Sequence, residues 1–133
     1  MSERPGGMMR VRELVGGEVV WIAPEATIRQ AAELMMSTEV GSVAVEVDGA
    51  LEGILTERDI LRAVAADAAF DSDPASSWMT EYPDSFSPEM EVQEAADWML
   101  ATGFRHLPVV ENGEVLGVIS IKDVLWAITD EKV

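Results

Sequence analysis

Apolar residues between positions 27 and 39 recur at spacings of three and four, which predicts an amphipathic helix. A second stretch at 91–103 has the same spacing and predicts an equivalent helix. The positions expected on the buried faces are Ile28, Ala31, Ala32, Met35 and Met36 in the first helix, and Val92, Ala95, Ala96, Met99 and Leu100 in the second. A short extended piece, at 19–23 or 85–87, precedes each helix and ends before a proline.

Each predicted helix is followed by two strand patterns around a tight turn. SVAVEV at 42–47 and LEGIL at 51–55 flank an Asp-Gly pair, and HLPVV at 106–110 and VLGVIS at 115–120 flank an Asn-Gly pair. Both dipeptides are strong signals for a hairpin. A further helix is predicted after each hairpin, over 57–66 and 121–128.

The order β-α-β-β-α therefore occurs twice. Shifting the chain by 64 residues aligns 24–64 with 88–128 without a gap and with 12 identical pairs, which indicates an internal repeat. We expect an α/β fold in which a pseudo-twofold axis relates the repeats, so that each buries its exposed sheet face against the other. The predicted divisions are a flexible leader (1–7), repeat 1 (8–66), a linker (67–74) and repeat 2 (75–130).

Composition excludes several classes of function. A net charge of −16 disfavours binding to nucleic acid or to anionic membranes. No apolar run approaches the roughly 20 residues that span a bilayer, and the N-terminus lacks the apolar core of a secretory signal, so a cytoplasmic protein is expected. Cysteine is absent, there is one histidine, and no metal-binding or nucleophile motif is present. We expect no catalytic activity, no metal and no catalytic cofactor.

The two strand-to-helix junctions carry the candidate chemistry. GILTERDIL at 53–61 and GVISIKDVL at 117–125 each place Thr or Ser three residues before Asp. This spacing predicts helix capping by Thr56 with Asp59 and by Ser120 with Asp123. TIRQ at 27–30 forms a similar box at which no ligand is expected. Because a helix N-terminus offers free amides and partial positive charge, the two junctions also suit the oxygens of a phosphate or sugar.

The repeated unit, the proline before its first helix, the HLPVV strand and the Gly-apolar-apolar-Thr/Ser-x-x-Asp ending resemble the cystathionine-β-synthase (CBS) domain. Two such domains in tandem resemble a Bateman module, and the resemblance covers roughly residues 8–130. It implies a regulatory sensor that binds an adenosyl nucleotide (AMP, ADP or ATP) in clefts between the repeats. It also implies a homodimer that passes a conformational change to an unidentified regulated protein.

The resemblance implies two sites, each built from both repeats. In both, Asp accepts hydrogen bonds from ribose and Thr or Ser meets the phosphate or sugar edge. Site 1 would comprise Thr56, Asp59, Ile54, Phe86, Ser87, Arg105, His106 and Lys122. Site 2 would comprise Ser120, Asp123, Val118, Val20, Trp21, Ile22, Ser42 and Arg58. We expect site 1 to bind a phosphorylated adenosine better, because it has Arg105 and His106 where site 2 has Gly41 and Ser42.

Three alternatives remain open at this point. The module could bind S-adenosylmethionine or NAD instead, or could be a constitutive interaction and dimerisation module without a ligand. Gly53 and Gly117 lie within strand patterns, where glycine often marks a close approach, and either a nucleotide or the facing repeat would account for them. Trp78, Trp98 and Trp126 are interpreted as core or dimer-interface residues.

Overall fold

All four predicted helices and both predicted hairpins are present in the computed structural model, which describes residues 9–16 and 19–131. The helices are α1 (Ile28–Thr38), α2 (Glu57–Ala65), α3 (Val92–Thr102) and α4 (Ile121–Glu131). The strands are β1 (Trp21–Ile22), β2 (Ser42–Val47), β3 (Ala50–Thr56), β4 (Thr80–Glu81), β5 (His106–Glu111) and β6 (Glu114–Ser120). Two 3-10 turns, Val11–Leu14 and Ala75–Ser77, complete the elements of the described residues. The predicted leader, 1–7, lies outside these residues.

The chain divides into two compact units, and each contains one repeat. Lobe 1 is Val19–Pro83, and lobe 2 consists of 9–16 together with 84–131. The predicted α/β fold with two β-α-β-β-α repeats is confirmed.

Lobe 1 contains a four-stranded sheet in the order β1-β2-β3-β4. β1 pairs with β2 in parallel, and the other two pairings are antiparallel. The core between this sheet and the helices is apolar, as the alternation predicts; its buried residues are Ile22, Ala31, Met35, Val43, Val45, Leu55 and Ala75.

Lobe 2 repeats this plan with fewer paired strands. β5 and β6 form an antiparallel hairpin, and Phe86 bridges to Val109 in parallel, as Ile22 does to Val45 in lobe 1. The predicted extended pieces 19–23 and 85–87 are therefore short, a two-residue strand in one lobe and a single bridge in the other. Both hairpin turns have two left-handed residues, Asp48 and Gly49 or Asn112 and Gly113, as an Asp-Gly or Asn-Gly turn requires.

The first residues of each predicted repeat pack in the lobe that contains the rest of the other repeat. Val11, near the start of repeat 1, is fully buried in the core of lobe 2, and its amide donates to the Met90 carbonyl at 2.8 Å. Ala75, at the start of repeat 2, is fully buried in lobe 1, and its amide donates to the Ala26 carbonyl at 2.7 Å. The two segments are themselves 64 residues apart, so the internal repeat extends beyond the positions aligned by sequence.

The predicted buried faces of α1 and α3 are correct except at Ala32, which is half-buried, and at the last position of each face. Met36 and Leu100 are 79% and 67% exposed, so the prediction that they face the core is wrong. Met36 follows Met35 and Leu100 follows Met99, and both of these methionines are buried. The apolar stripe on each helix is therefore narrower than the sequence pattern suggests. Within the part of the chain that the structure describes, no helix combines the length and apolarity that a bilayer crossing requires.

Candidate functional site

The junction between β3 and α2 forms a closed capping box in lobe 1. The Thr56 amide donates to Asp59 Oδ2 at 2.8 Å, and the Asp59 amide donates to Thr56 Oγ1 at 3.4 Å. The Thr56 hydroxyl also lies 3.1 Å from Asp59 Oδ2. Asp59 is 7% exposed, so this is a buried carboxylate whose cap residue is itself half-buried.

Asp59 has a second partner that the sequence analysis did not identify. Arg62 Nη2 donates to Asp59 Oδ1 at 3.0 Å and to the Trp78 carbonyl at 3.2 Å, while the guanidinium lies 5.9 Å from the centre of the Trp78 ring. The signal was present as Asp-x-x-Arg, a spacing at which helical side chains meet. Both oxygens of the Asp59 carboxylate therefore accept hydrogen bonds from lobe 1 itself.

The junction between β6 and α4 forms the matching box in lobe 2. The Ser120 amide donates to Asp123 Oδ2 at 2.9 Å, and the Asp123 amide donates to Ser120 Oγ at 3.1 Å. Asp123 is exposed, unlike Asp59, and Trp126 occupies the position equivalent to Arg62. Because Asp123 is exposed, this junction presents a solvent-facing carboxylate beside a helix N-terminus.

The predicted site residues fall into two groups, one in each lobe. In lobe 1, Ser42 pairs with Thr56 across the hairpin, and the Gly41 carbonyl accepts a hydrogen bond from the Glu57 amide at 3.0 Å. The other predicted residues of this lobe are Ile54, Asp59, Arg58, Val20, Trp21 and Ile22.

The arrangement in lobe 2 is equivalent. His106 pairs with Ser120, and the Arg105 carbonyl accepts from the Ile121 amide at 2.8 Å, so both residues lie at the start of α4. The other predicted residues of this lobe are Asp123, Val118, Lys122, Phe86 and Ser87. The predicted combination of residues from both repeats into two sites stays a prediction.

The predicted adenine walls differ in how much surface they offer. Ile54, Phe86 and Ile22 are 4%, 3% and 9% exposed and belong to the packed interior of their lobes. Phe86 also makes an edge-to-face contact with Trp98, with ring centres 5.6 Å apart. Val20, Trp21 and Val118 are half-buried and keep accessible apolar surface, so they are the wall residues that a ligand can reach most readily.

Cations near the junctions are few and exposed. Arg58 and Lys122 lie in the first turns of α2 and α4, and Arg105 precedes β5. Arg12 is engaged elsewhere in lobe 2, where it contacts Glu89 and Glu111 at 2.6 Å, and these hydrogen bonds raise the pKa of Arg12. Within the described ranges, no group of three or more His, Cys, Asp or Glu side chains is placed to hold a metal ion.

Comparison with known proteins identifies the same unit elsewhere. A family model for the CBS domain matches residues 11–66 and 75–130. An uncharacterised protein of Acidianus ambivalens is 37% identical over 123 residues, which cover 91% of this chain and 74% of that protein. A CBS-domain containing protein from Agrobacterium tumefaciens is 35% identical, with a TM-score of 0.83 over 90% of this chain and 98% of that one. A CBS domain protein from Pyrobaculum aerophilum, complexed with AMP, is 31% identical, with a TM-score of 0.80 over 92% of this chain and 99% of that one.

Proposed function

We propose that this chain, which belongs to the CBS-domain family and carries two copies of the domain, is a sensor that binds an adenosine-containing ligand. The observation that carries the proposal is the exposed Asp123 carboxylate beside the Ser120 cap at the N-terminus of α4. The AMP complex of the similar Pyrobaculum protein supports the choice of an adenosyl ligand.

The chemistry of the junction fits a nucleoside monophosphate. A carboxylate accepts hydrogen bonds from ribose hydroxyls, and helix amides with a hydroxyl side chain suit a sugar or phosphate oxygen. In the proposal Asp123 and Asp59 therefore bind ribose, and Ser120 and Thr56 meet the sugar or phosphate edge. Val118, Val20 and Trp21 supply apolar contacts for adenine.

Overall charge favours a ligand with few phosphates. The chain carries a net charge of −16, and the cations at the junctions are single exposed side chains. Three phosphates would meet an unfavourable field with little local compensation. We therefore propose the order AMP, ADP, ATP for decreasing affinity, with Arg105 and Lys122 as the cations next to the start of α4.

Ligand binding would regulate by shifting a conformational equilibrium. A ligand that prefers one arrangement of the module increases its population in proportion to its differential affinity. The output would be a changed interaction with another protein rather than a chemical reaction. S-adenosylmethionine and NAD are the competing adenosyl ligands in the test below.

The test is isothermal titration calorimetry of the full chain with AMP, ADP, ATP, NAD and S-adenosylmethionine. We expect AMP to bind, and Asp123→Asn to weaken AMP binding by about tenfold, because it replaces a charge-assisted hydrogen bond with a neutral one that is about half as strong. Asparagine keeps an oxygen for the Ser120 amide, so the helix cap is retained.

Asp97→Asn is the matched control, because it removes the same charge from an exposed position on α3. It should leave AMP affinity within twofold of the wild type. Equal losses in Asp97→Asn and Asp123→Asn would show a general charge effect and contradict the assignment. Absence of binding by all five ligands would contradict the proposed function itself.

A second candidate function is self-association through the helices. Apolar side chains are exposed on both lobes, at the equivalent pairs Met36/Leu100 and Leu61/Leu125, and also at Val64 in lobe 1 and Trp126 in lobe 2. In lobe 1 they adjoin a groove of roughly 500 Å³ between α1 and α2, lined in part by Ile28, Ala32, Ile60 and Phe70. Exposed apolar patches of this kind often mark protein interfaces. We therefore include homodimerisation in the proposal.

A further inference from the structure

The two repeats differ at one position that adjoins the candidate ribose acceptor. Arg62 follows Asp59 by three residues, and the repeat places Trp126 at the same distance after Asp123. Residues three apart on a helix are neighbours on its surface, so the side chain at position 62 or 126 can adjoin the carboxylate of its own helix.

In lobe 1 this neighbour covers and binds the carboxylate. Arg62 Nη2 donates to Asp59 Oδ1 at 3.0 Å, while Asp59 Oδ2 accepts from the Thr56 amide at 2.8 Å. Trp78 holds the guanidinium through its carbonyl oxygen and its ring. With Asp59 only 7% exposed, a ribose hydroxyl reaches Oδ1 only when Arg62 moves away.

In lobe 2 the equivalent position leaves the carboxylate open. Trp126 is 75% exposed and carries no charge that could pair with Asp123. Asp123 itself is exposed, and its Oδ2 accepts from the Ser120 amide at 2.9 Å. The two capping boxes have the same pair of hydrogen bonds between the cap residue and the aspartate, and they differ in the side chain at this position.

We infer that Arg62 is an internal competitor that determines how well Asp59 accepts an adenosine ribose. The inference rests on the proposed function, because it concerns the same carboxylates. It makes the Asp123 junction the stronger ribose acceptor and the Asp59 junction the weaker one. This order is opposite to the one that the positions of Arg105 and His106 suggested from sequence.

A different role for Arg62 would be to bind the phosphate of AMP. The two roles give effects of opposite sign when the guanidinium is removed. A competitor weakens adenosine and AMP binding alike, because both contain the ribose. A phosphate ligand strengthens AMP binding alone, so adenosine is the discriminating probe.

The experiment is a double-mutant cycle read by calorimetry with adenosine and with AMP. Asp123→Asn provides a background in which Asp59 is the remaining carboxylate. There, Arg62→Gln should tighten binding of both probes by about three- to tenfold, the range expected for an exposed guanidinium on a buried carboxylate. In the matched Asp59→Asn background, Arg62→Gln should change neither affinity by more than twofold.

The reciprocal substitution tests the same idea in lobe 2. In the Asp59→Asn background, Trp126→Arg places a guanidinium three residues after Asp123 and should weaken both probes. The expected loss of affinity is smaller than the gain expected from Arg62→Gln in lobe 1. The repeat places Leu14 at the position equivalent to Trp78, so no aromatic ring holds the new guanidinium.

Three results overturn the inference. Arg62→Gln could leave both affinities unchanged in the Asp123→Asn background, it could weaken AMP binding alone, or it could act equally in both backgrounds. Each of these requires that the wild type binds a probe, so each leaves the proposed function standing. Absence of adenosine and AMP binding in the wild type and in every variant overturns the proposed function and this inference together.

Discussion

Gly53 and Gly117 both lie where a close packing contact leaves no room for a side chain. A Cβ on Gly53 would lie 2.8 Å from the Thr80 carbonyl oxygen and 2.9 Å from Met79 Cγ. A Cβ on Gly117 would lie 2.6 Å from Val15 Cγ1. Val15 and Met79 are themselves 64 residues apart, so the same segment of each repeat excludes a side chain at the same strand position.

We expect Gly53→Ala to destabilise the protein by about 1–3 kcal/mol, the usual range for overpacking. The added methyl group meets a backbone carbonyl of β4, which cannot move without disturbing the pairing of Gly53 with Glu81. Gly117→Ala is the matched comparison and should cost less, because it meets only a valine side chain. Urea denaturation of both variants measures the difference, and an equal or larger loss for Gly117→Ala would contradict this account.

Helix α1 shows how an element depends on a segment that the sequence presents as a linker. The Ile28 amide donates to the Asp73 carbonyl at 3.1 Å, and the Arg29 amide donates to the Phe70 carbonyl at 3.0 Å. The Arg29 side chain forms an ion pair with Asp71. Carbonyl groups of the predicted linker therefore accept hydrogen bonds from amides in the first turn of α1. Those amides have no partner within the helix itself.

The Arg29–Asp71 pair should contribute to stability in a pH-dependent way. The hydrogen bond from Arg29 lowers the pKa of Asp71 below its ordinary value of 3.8. A lowered folded-state pKa gives a contribution that is present above pH 3.8 and is lost as the pH falls through the folded-state pKa. We expect Asp71→Asn to reduce the free energy of unfolding slightly at pH 7 and to have no effect at a pH below the folded-state pKa of Asp71.

Asp67→Asn is the control for this prediction, because it removes the same charge from an exposed position in the same segment. Thermal unfolding, followed from pH 7 down through the folded-state pKa of Asp71, compares the variants with the wild type. A difference for Asp71→Asn that persists unchanged at the lowest pH would show that the ion pair is not its cause.

At the scale of the whole molecule, the first residues of each repeat are exchanged between the lobes. The core of lobe 2 includes Val11, and Arg12 anchors the same segment through Glu89 and Glu111. The core of lobe 1 includes Ala75. Each lobe is completed by chain from outside its own repeat, so the lobes cannot be separated by one cut between the repeats.

The exposed apolar positions predict self-association that strengthens with salt. A second copy carries the same net charge of −16, so electrostatic repulsion opposes association and is screened as ionic strength rises. Light scattering after size-exclusion chromatography should show a larger dimer fraction at 0.5 M than at 0.05 M NaCl. Met36→Glu should reduce that fraction by placing a charge on the helix face.

Tyr82→Asp is the control for the self-association test, because Tyr82 is 75% exposed, lies outside the helices and gains the same charge. It should leave the dimer fraction close to that of the wild type. A protein that is monomeric at every salt concentration, or one in which both variants dissociate equally, would contradict an interface on the helix face.

Sequence by itself determined the repeat, the four helices, the two hairpins and both capping boxes. These depend on local chemistry, namely the apolar period, the Asp-Gly and Asn-Gly turns, and the Thr/Ser-x-x-Asp spacing, so a single stretch contains all the information. The family resemblance followed from the same stretches and is confirmed.

Only the tertiary structure decided which chain segment completes each core, which contact excludes a side chain at Gly53 and Gly117, and how exposed each aspartate is. Asp59 and Asp123 have the same local motif, yet one is buried under Arg62 and the other faces solvent. Their difference depends on Trp78, 19 positions beyond Asp59, whose ring and carbonyl hold the guanidinium in place. Contacts between residues distant in sequence leave no local pattern, and for that reason the motif predicted two caps without predicting their inequality.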